Sequence, residues 1–116
     1  MSINIGKRGE DIAADFITKK GLLIIDRNFR TKIGEIDIVA VDGDVVAFIE
    51  VKSRKTDTFG NPSDFVNRYQ RKRIINTAQI FMKQKNLIDM QPRFDVCEIY
   101  STTNTINYIE NAFPFL

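Results

Sequence analysis

The chain has 116 residues, of which 43% are hydrophobic and 28% charged, and its net charge is +2. This composition predicts one domain over residues 1–116 with a buried core. With one cysteine and no histidine, it excludes a disulfide framework, a structural zinc site and histidine-based triads. The longest apolar run has five residues and the N-terminus lacks the apolar segment of a signal peptide, so we expect a cytoplasmic protein without membrane spans.

Hydrophobic periodicity and turn residues predict seven elements in the order αβββαββ. Helices are predicted over residues 3–20 and 64–85, and strands over residues 22–30, 35–41, 44–53, 93–100 and 106–112. Asp64 is the expected N-cap of the second helix. Asp42 and Gly43 are expected to form a two-residue hairpin turn between the second and third strands. The pattern is typical of an α/β domain with a mixed sheet and helices packed against it.

Two carboxylates, Asp37 and Glu50, interrupt the apolar runs of this predicted hairpin. With a turn at residues 42 and 43, paired residue numbers sum to 85, so Asp37 is expected opposite Phe48. Glu35 is then expected opposite Glu50, with Lys52 on the same face, because strand side chains alternate between faces. The two carboxylates become diagonal neighbours, close enough to share one cation.

Such a pair of acids is unfavourable unless something neutralises it. Two carboxylates about 4 Å apart repel by about 4 kcal/mol at an effective dielectric constant near 20, and burial adds a desolvation penalty. Lys52 supplies one positive charge, and an oxygen-ligated divalent ion supplies two more. The sequence therefore predicts a Mg²⁺ (or Mn²⁺) site with Asp37 and Glu50 as ligands. The alternative is a Glu50–Lys52 ion pair on a solvent-exposed sheet face.

Glu10 is a candidate third acid. It lies on the edge of the apolar stripe of the first helix, three residues before Ala13 and seven before Ile17, so the helix can direct it towards the sheet. The alternative is an acid in the first helical turn, where the helix dipole stabilises negative charge.

Charge is segregated along the chain. Residues 33–50 contain five acids and no base, whereas residues 52–73 contain seven bases and two acids. An acidic element beside a basic one suits a metal site next to a phosphate-binding surface, although ordinary solvated charge is the alternative. We expect Lys72 to face the site, being spaced with Phe65 and Ile75 on the second helix. The predicted nucleic-acid contacts are Arg54, Lys55, Arg68, Arg71 and Lys72.

Asp37 followed by Glu50-Val51-Lys52 has the form of the PD-(D/E)xK nuclease signature, with Ile36 where that motif has proline. The whole chain resembles the YraN-like family of uncharacterised bacterial proteins, which is similar to archaeal Holliday junction resolvases. The resemblance runs through RGEDIAADFI, GEIDIVAVDG, FIEVKSR, FGNP and RFDV.

This resemblance implies a restriction-endonuclease-like fold and nucleic-acid binding. It matches Glu10, Asp37, Glu50 and Lys52 to a resolvase-type catalytic set, and it suggests a homodimer because resolvases act as dimers. The favoured hypothesis is a metal-dependent endonuclease acting on structured DNA, including branched DNA. The alternatives are a non-catalytic nucleic-acid-binding protein with a vestigial site and a structural partner in a larger assembly.

Overall fold

The computed structural model describes residues 5–54 and 67–115, and side chains from residue 8 onward. Within these residues the elements follow the predicted order αβββαββ. They are α1 (Ile5–Lys19), β1 (Leu23–Arg30), β2 (Glu35–Asp42), β3 (Val45–Arg54), α2 (Arg68–Gln84), β4 (Gln91–Tyr100) and β5 (Thr105–Phe113). Lys55 and Asp64, predicted as a phosphate contact and a helix cap, lie outside the described residues.

The five strands form one mixed sheet in the order β1-β2-β3-β4-β5. Strands β3 and β4 are parallel and the other neighbouring pairs are antiparallel. A parallel pair needs a crossover, and α2 lies in the connection between β3 and β4. The predicted α/β class with a mixed sheet is confirmed.

The β2–β3 hairpin turns one residue later than predicted. Asp42 pairs with Val45, so the two loop residues are Gly43 and Asp44 rather than Asp42 and Gly43. Gly43 has φ 61°, which suits the first loop position of a type II′ hairpin turn, where glycine is preferred. Paired residue numbers therefore sum to 87, so the predicted register is wrong by two residues.

The two helices cover opposite faces of the sheet. On β3, Ala47 and Ile49 belong to the cluster packed against α1, whereas Val46 and Phe48 belong to the cluster packed against α2. This alternation is the period-2 pattern of a strand buried on both faces. The cluster under α1 includes Ala13, Ile17, Ile38, Ala40, Cys97 and Ile99. The cluster under α2 includes Val39, Ile75, Ala78, Phe81, Phe94, Val96 and Phe113.

Helix α2 begins later than the sequence predicted. Its N-cap is Asn67, whose side chain accepts a hydrogen bond from the Gln70 backbone N–H, while the Gln70 side chain accepts one from the Asn67 N–H. This capping box satisfies two backbone donors, so a helix starting after Asp64 is wrong. Tyr69 is 71% exposed because it lies about 240° around the helix axis from the buried Ile75.

A buried carboxylate on β4, that of Asp95, ties this strand to β5. The Arg93 guanidinium donates to Asp95 at 3.0 Å, and Asp95 also accepts from the Tyr108 hydroxyl at 2.5 Å and the Asn111 N–H at 2.8 Å. Buried carboxylates persist only when such partners satisfy them. Arg93 and Asp95 therefore act as a structural pair. Neither described helix is long and apolar enough to cross a membrane.

Candidate active site

The carboxyl groups of Asp37 and Glu50 lie close enough to interact, because the charge of Asp37 raises the pKa of Glu50. The two-residue register error is an even number, so it leaves the paired residues on their expected faces. The ladder ends at the pair Ile38–Ile49, and Asp37 and Glu50 follow directly beyond it. Ile36 and Ile38 belong to clusters on opposite faces of the sheet, so the alternation of β2 is interrupted at Asp37.

Asp37 takes over a backbone hydrogen bond at the point where the β2–β3 ladder ends. Its Oδ2 accepts the Val51 N–H at 2.8 Å. Burial raises the pKa of Asp37, the Val51 N–H opposes this rise, and the charge of Glu35 adds to it. The hydrogen bond fixes the orientation of one carboxylate oxygen, but burial and the charge of Glu35 still disfavour the ionised form of Asp37.

Glu50 and Lys52 form an ion pair inside a partly covered cleft. Lys52 Nζ lies 3.5 Å from Glu50 Oε1, and the two side chains are 25% and 23% exposed, respectively. Burial and then the charge of Asp37 raise the pKa of Glu50 to about 7, although Lys52 lowers it. The alternative of an ion pair on a solvent-exposed sheet face is correct about the ion pair. It is wrong about the exposure, because residues of α2 lie opposite that face.

The cleft has a volume of about 160 Å³ and lies between the sheet and the first turns of α2. Glu50 and Lys52 line the sheet wall, and Arg73 lines the helix wall. The described residues that line the cleft are Gly34, Glu35, Glu50, Lys52, Gln70, Arg73 and Ile74. Both signs of charge thus meet in one concave space, as a site for a cation and a phosphate requires.

Glu10 approaches the site from α1. The helix begins at Ile5, so Glu10 lies in its second turn and the first-turn alternative is wrong. A Cβ on Gly9 would collide with Ser53 Oγ, so glycine permits the close contact between α1 and β3. Among the described residues Glu10 Oε1 is buried without a hydrogen-bond partner, and burial followed by the charge of Asp37 raises the pKa of Glu10.

The three predicted acids do not form a complete metal cage. Among residues 5–54 and 67–115, no three carboxylate or thiolate groups are gathered closely enough to hold an ion between them. Asp37 and Glu50 interact directly, whereas the charge of Asp37 acts on Glu10. The ready donor set is therefore two carboxylates with a third acid nearby.

The predicted basic contacts are distributed over several surfaces. Lys72 is exposed and lies outside the cleft lining, so its expected inward orientation is wrong. Arg71 lies over the Phe113 ring at 5.4 Å, and Arg54 Nε lies 4.0 Å from the buried Glu98 carboxylate. Arg68 is exposed at the start of α2.

Arg73 is the cleft residue that the sequence did not single out. The cleft is bordered by a flank of α2 rather than by its apolar stripe, and Arg73 lies about 100° around the helix from Lys72. The hydrophobic pattern identifies the stripe but not which flank faces the strands that carry the acids. Arg73 lies four residues before Thr77, which is buried on the same flank of α2. A buried polar residue at this spacing was the sequence feature that could have indicated which flank faces the cleft.

Known proteins with similar sequences share nearly the whole chain. Residues 9–99 match the profile of Uncharacterised protein family UPF0102. A UPF0102 protein of Clostridium kluyveri is 45% identical over 114 residues, covering 95% of this chain and 93% of its own. Another from Caldanaerobacter subterraneus is 40% identical over 114 residues, covering 94% and 93%. A third from Vibrio campbellii is 38% identical over 110 residues, covering 93% and 90%. The chain therefore belongs to Uncharacterised protein family UPF0102, the YraN-like family that its motifs indicated.

Proposed function

We propose that this protein is a metal-dependent endonuclease that hydrolyses phosphodiesters in structured DNA, including branched DNA, in the reducing cytoplasm. One observation carries the proposal: the partly buried carboxyl groups of Asp37 and Glu50 interact with each other, and Glu50 pairs with Lys52 in the wall of a cleft. Neighbouring acids with raised pKa values are typical of sites that bind a cation or transfer a proton. The adjacent cations suit a phosphate-bearing substrate.

The donor set fits Mg²⁺ or Mn²⁺. Mg²⁺ is commonly held by one or two protein carboxylates, with water and substrate phosphates completing its octahedron. Asp37 and Glu50 meet that requirement without Glu10 as a direct ligand. When bound, the ion would supply charge neutralisation of the phosphate and activation of water.

The protein's own groups have distinct roles in this proposal. The Val51 N–H orients Asp37 through its 2.8 Å hydrogen bond, which reduces the freedom of a ligand that must hold a fixed geometry. Lys52, paired with Glu50 at 3.5 Å, stabilises the charge that develops on the phosphate oxygens. Glu10 adds negative potential that favours cation capture.

The test is cleavage of labelled duplex, flap and four-way DNA, with matching RNA strands, in Mg²⁺ or Mn²⁺. Wild type should cut at least one of these DNA substrates, whereas Asp37→Asn and Lys52→Ala should each slow cutting by about 100-fold or more. Asp89→Asn, at an exposed acid between α2 and β4, is the matched control and should cut normally. If wild type and Asp89→Asn fail to cut any substrate in either metal, nuclease activity is refuted.

A non-catalytic nucleic-acid-binding function is the second candidate. Two observations favour it: Lys52 already neutralises part of the Glu50 charge, and no three-acid metal site is gathered among the described residues. The same DNA panel separates the candidates. Equal binding by wild type, Asp37→Asn and Lys52→Ala, without cutting by any of them, would establish the binding function.

A further inference from the structure

Arg73 occupies the helix wall of the cleft, across from the sheet wall formed by Glu50 and Lys52. Arg73 and its immediate neighbour Lys72 are both exposed, but Lys72 lies outside that lining. Two adjacent cations on one helix thus have different access to the candidate site. A comparison of Arg73 with Lys72 can therefore distinguish a specific role of Arg73 in the cleft from a general effect of positive charge on α2.

The Arg73 side chain is held in place by the loop between β1 and β2. Its Nε donates to the Ile33 carbonyl at 2.9 Å, and its guanidinium lies over Tyr69, with Cζ 5.9 Å from the ring centre. The Arg73 carbonyl accepts the Thr77 hydroxyl at 2.7 Å. A side chain restrained at Nε loses less conformational entropy when its outer nitrogens bind a ligand.

The contact between that loop and α2 is close because residue 34 is glycine. A Cβ at Gly34 would lie 2.7 Å from Thr77 Oγ1 and 3.5 Å from the Arg73 carbonyl. The helix segment that carries Arg73 therefore packs directly on the chain entering β2. Arg73 is thereby fixed relative to the strand that carries Asp37.

The Arg73 charge is not neutralised within the described part of the chain. The two acids that line the cleft have other partners: Glu35 pairs with Arg30 at 3.2 Å, and Glu50 pairs with Lys52 at 3.5 Å. No carboxylate of residues 8–54 or 67–115 lies within 4.0 Å of the Arg73 guanidinium. An oriented but unneutralised guanidinium facing a cleft is suited to an anion supplied by a ligand.

We propose that Arg73 is a phosphate-binding residue on the helix wall of the cleft and contacts the phosphodiester through the outer nitrogens of its guanidinium. This inference rests on the proposed function for the identity of the phosphate. A guanidinium presents parallel donors that match two phosphate oxygens, whereas an ammonium provides a single point charge. Lys72, despite equal charge and adjacent position, does not share this role.

The test compares Arg73→Ala, Arg73→Lys and the matched control Lys72→Ala. Binding of labelled four-way DNA is measured by anisotropy without divalent metal, so that cutting does not interfere. Arg73→Ala should weaken binding by about 10-fold or more, and Arg73→Lys should recover only part of this loss. Lys72→Ala should stay within about twofold of wild type. Equal losses in Arg73→Ala and Lys72→Ala, or full recovery by Arg73→Lys, would overturn the proposal.

A second measurement uses only the wild-type protein and therefore does not depend on whether variants fold. The side-chain Nε–H resonance of Arg73 is followed by NMR during titration with inorganic phosphate. We expect a saturable shift of this resonance, and its absence would overturn the phosphate-binding role. A shift with phosphate in a protein that binds no nucleic acid would instead refute the proposed function while keeping Arg73 as a phosphate-binding residue.

Discussion

Glu50 shows how one residue sets the pH dependence of the site. Its pKa is raised to about 7 from an ordinary value of 4.5, first by burial and then by the charge of Asp37. The folded state therefore keeps the Glu50 proton to a higher pH than the unfolded chain does. The contribution of Glu50 to the free energy of unfolding must therefore decrease as the pH rises from about 4.5 to 7, because the folded protein then carries a buried Glu50 charge beside Asp37.

Replacement of Glu50 by glutamine should stabilise the protein at high pH. Glu50→Gln removes the charge while keeping the shape of the side chain, so unfolding should require about 3 kcal/mol more at pH 8. The gain should disappear below about pH 4.5, where the wild-type carboxyl is protonated in both states. Urea unfolding between pH 4 and 8 measures this difference.

Glu35→Gln is the matched control for this experiment, because the Glu35 side chain is 61% exposed. It should change stability little across the same pH range. A gain in Glu50→Gln that does not vary with pH would contradict an electrostatic origin.

At the scale of elements, two glycines bring the helices against the sheet near the site. Gly9 lets α1 approach Ser53 of β3, and Gly34 lets the start of β2 approach Thr77 of α2. Neither residue has a left-handed backbone, so space rather than conformation requires glycine here. The position of both helix walls around the carboxylates depends on these contacts.

Alanine at position 34 should displace α2 or strain its packing. In Gly34→Ala the new Cβ would lie 2.7 Å from Thr77 Oγ1, and overpacking of this kind typically destabilises by about 1–3 kcal/mol. Thr77→Ala removes the atom that is contacted. The substitution at residue 34 should therefore destabilise less in a Thr77→Ala background, as a double-mutant cycle of unfolding free energies can measure. Strictly additive effects would show that the two positions do not interact.

For the molecule as a whole, cation binding and folding are coupled. A site that exists only in the folded protein gains stability when its ligand is added, and a tenfold excess over the dissociation constant adds about 1.4 kcal/mol. At pH 8 we expect Mg²⁺ to raise the unfolding midpoint of wild type but not of Asp37→Asn or Glu50→Gln. Asp89→Asn should respond like wild type.

Calorimetry provides an independent check of the same linkage. The raised pKa of Glu50, about 7, means that the group is partly protonated near neutral pH. Binding of Mg²⁺ at pH 7 should release protons, and the measured heat should therefore differ between buffers of different ionisation enthalpy. Identical heats in such buffers would argue against Glu50 as a ligand.

The element order and the shared face of Glu50 and Lys52 could be predicted, because hydrophobic periodicity marks the elements and a strand has a fixed two-residue period. The register could not, because both Asp42-Gly43 and Gly43-Asp44 are acceptable hairpin turns and differ in which loop position takes the glycine. The flank of α2 that meets the cleft depends on long-range packing of Gly34 against Thr77. The distance between Glu10 and the strand acids depends likewise on how α1 lies over β3, which no local pattern encodes.

The hydrogen bond from the Val51 N–H to Asp37 Oδ2 makes one main-chain amide a reporter of the site. At the end of the β2–β3 ladder this proton senses a carboxylate instead of a carbonyl, so its chemical shift follows the electron density on that oxygen. Titration of the acid pair, or occupation of the site by an ion, would therefore be visible at a single backbone resonance in the sheet. A spectroscopist could thus follow occupancy of the site without substrate and without any change to the protein.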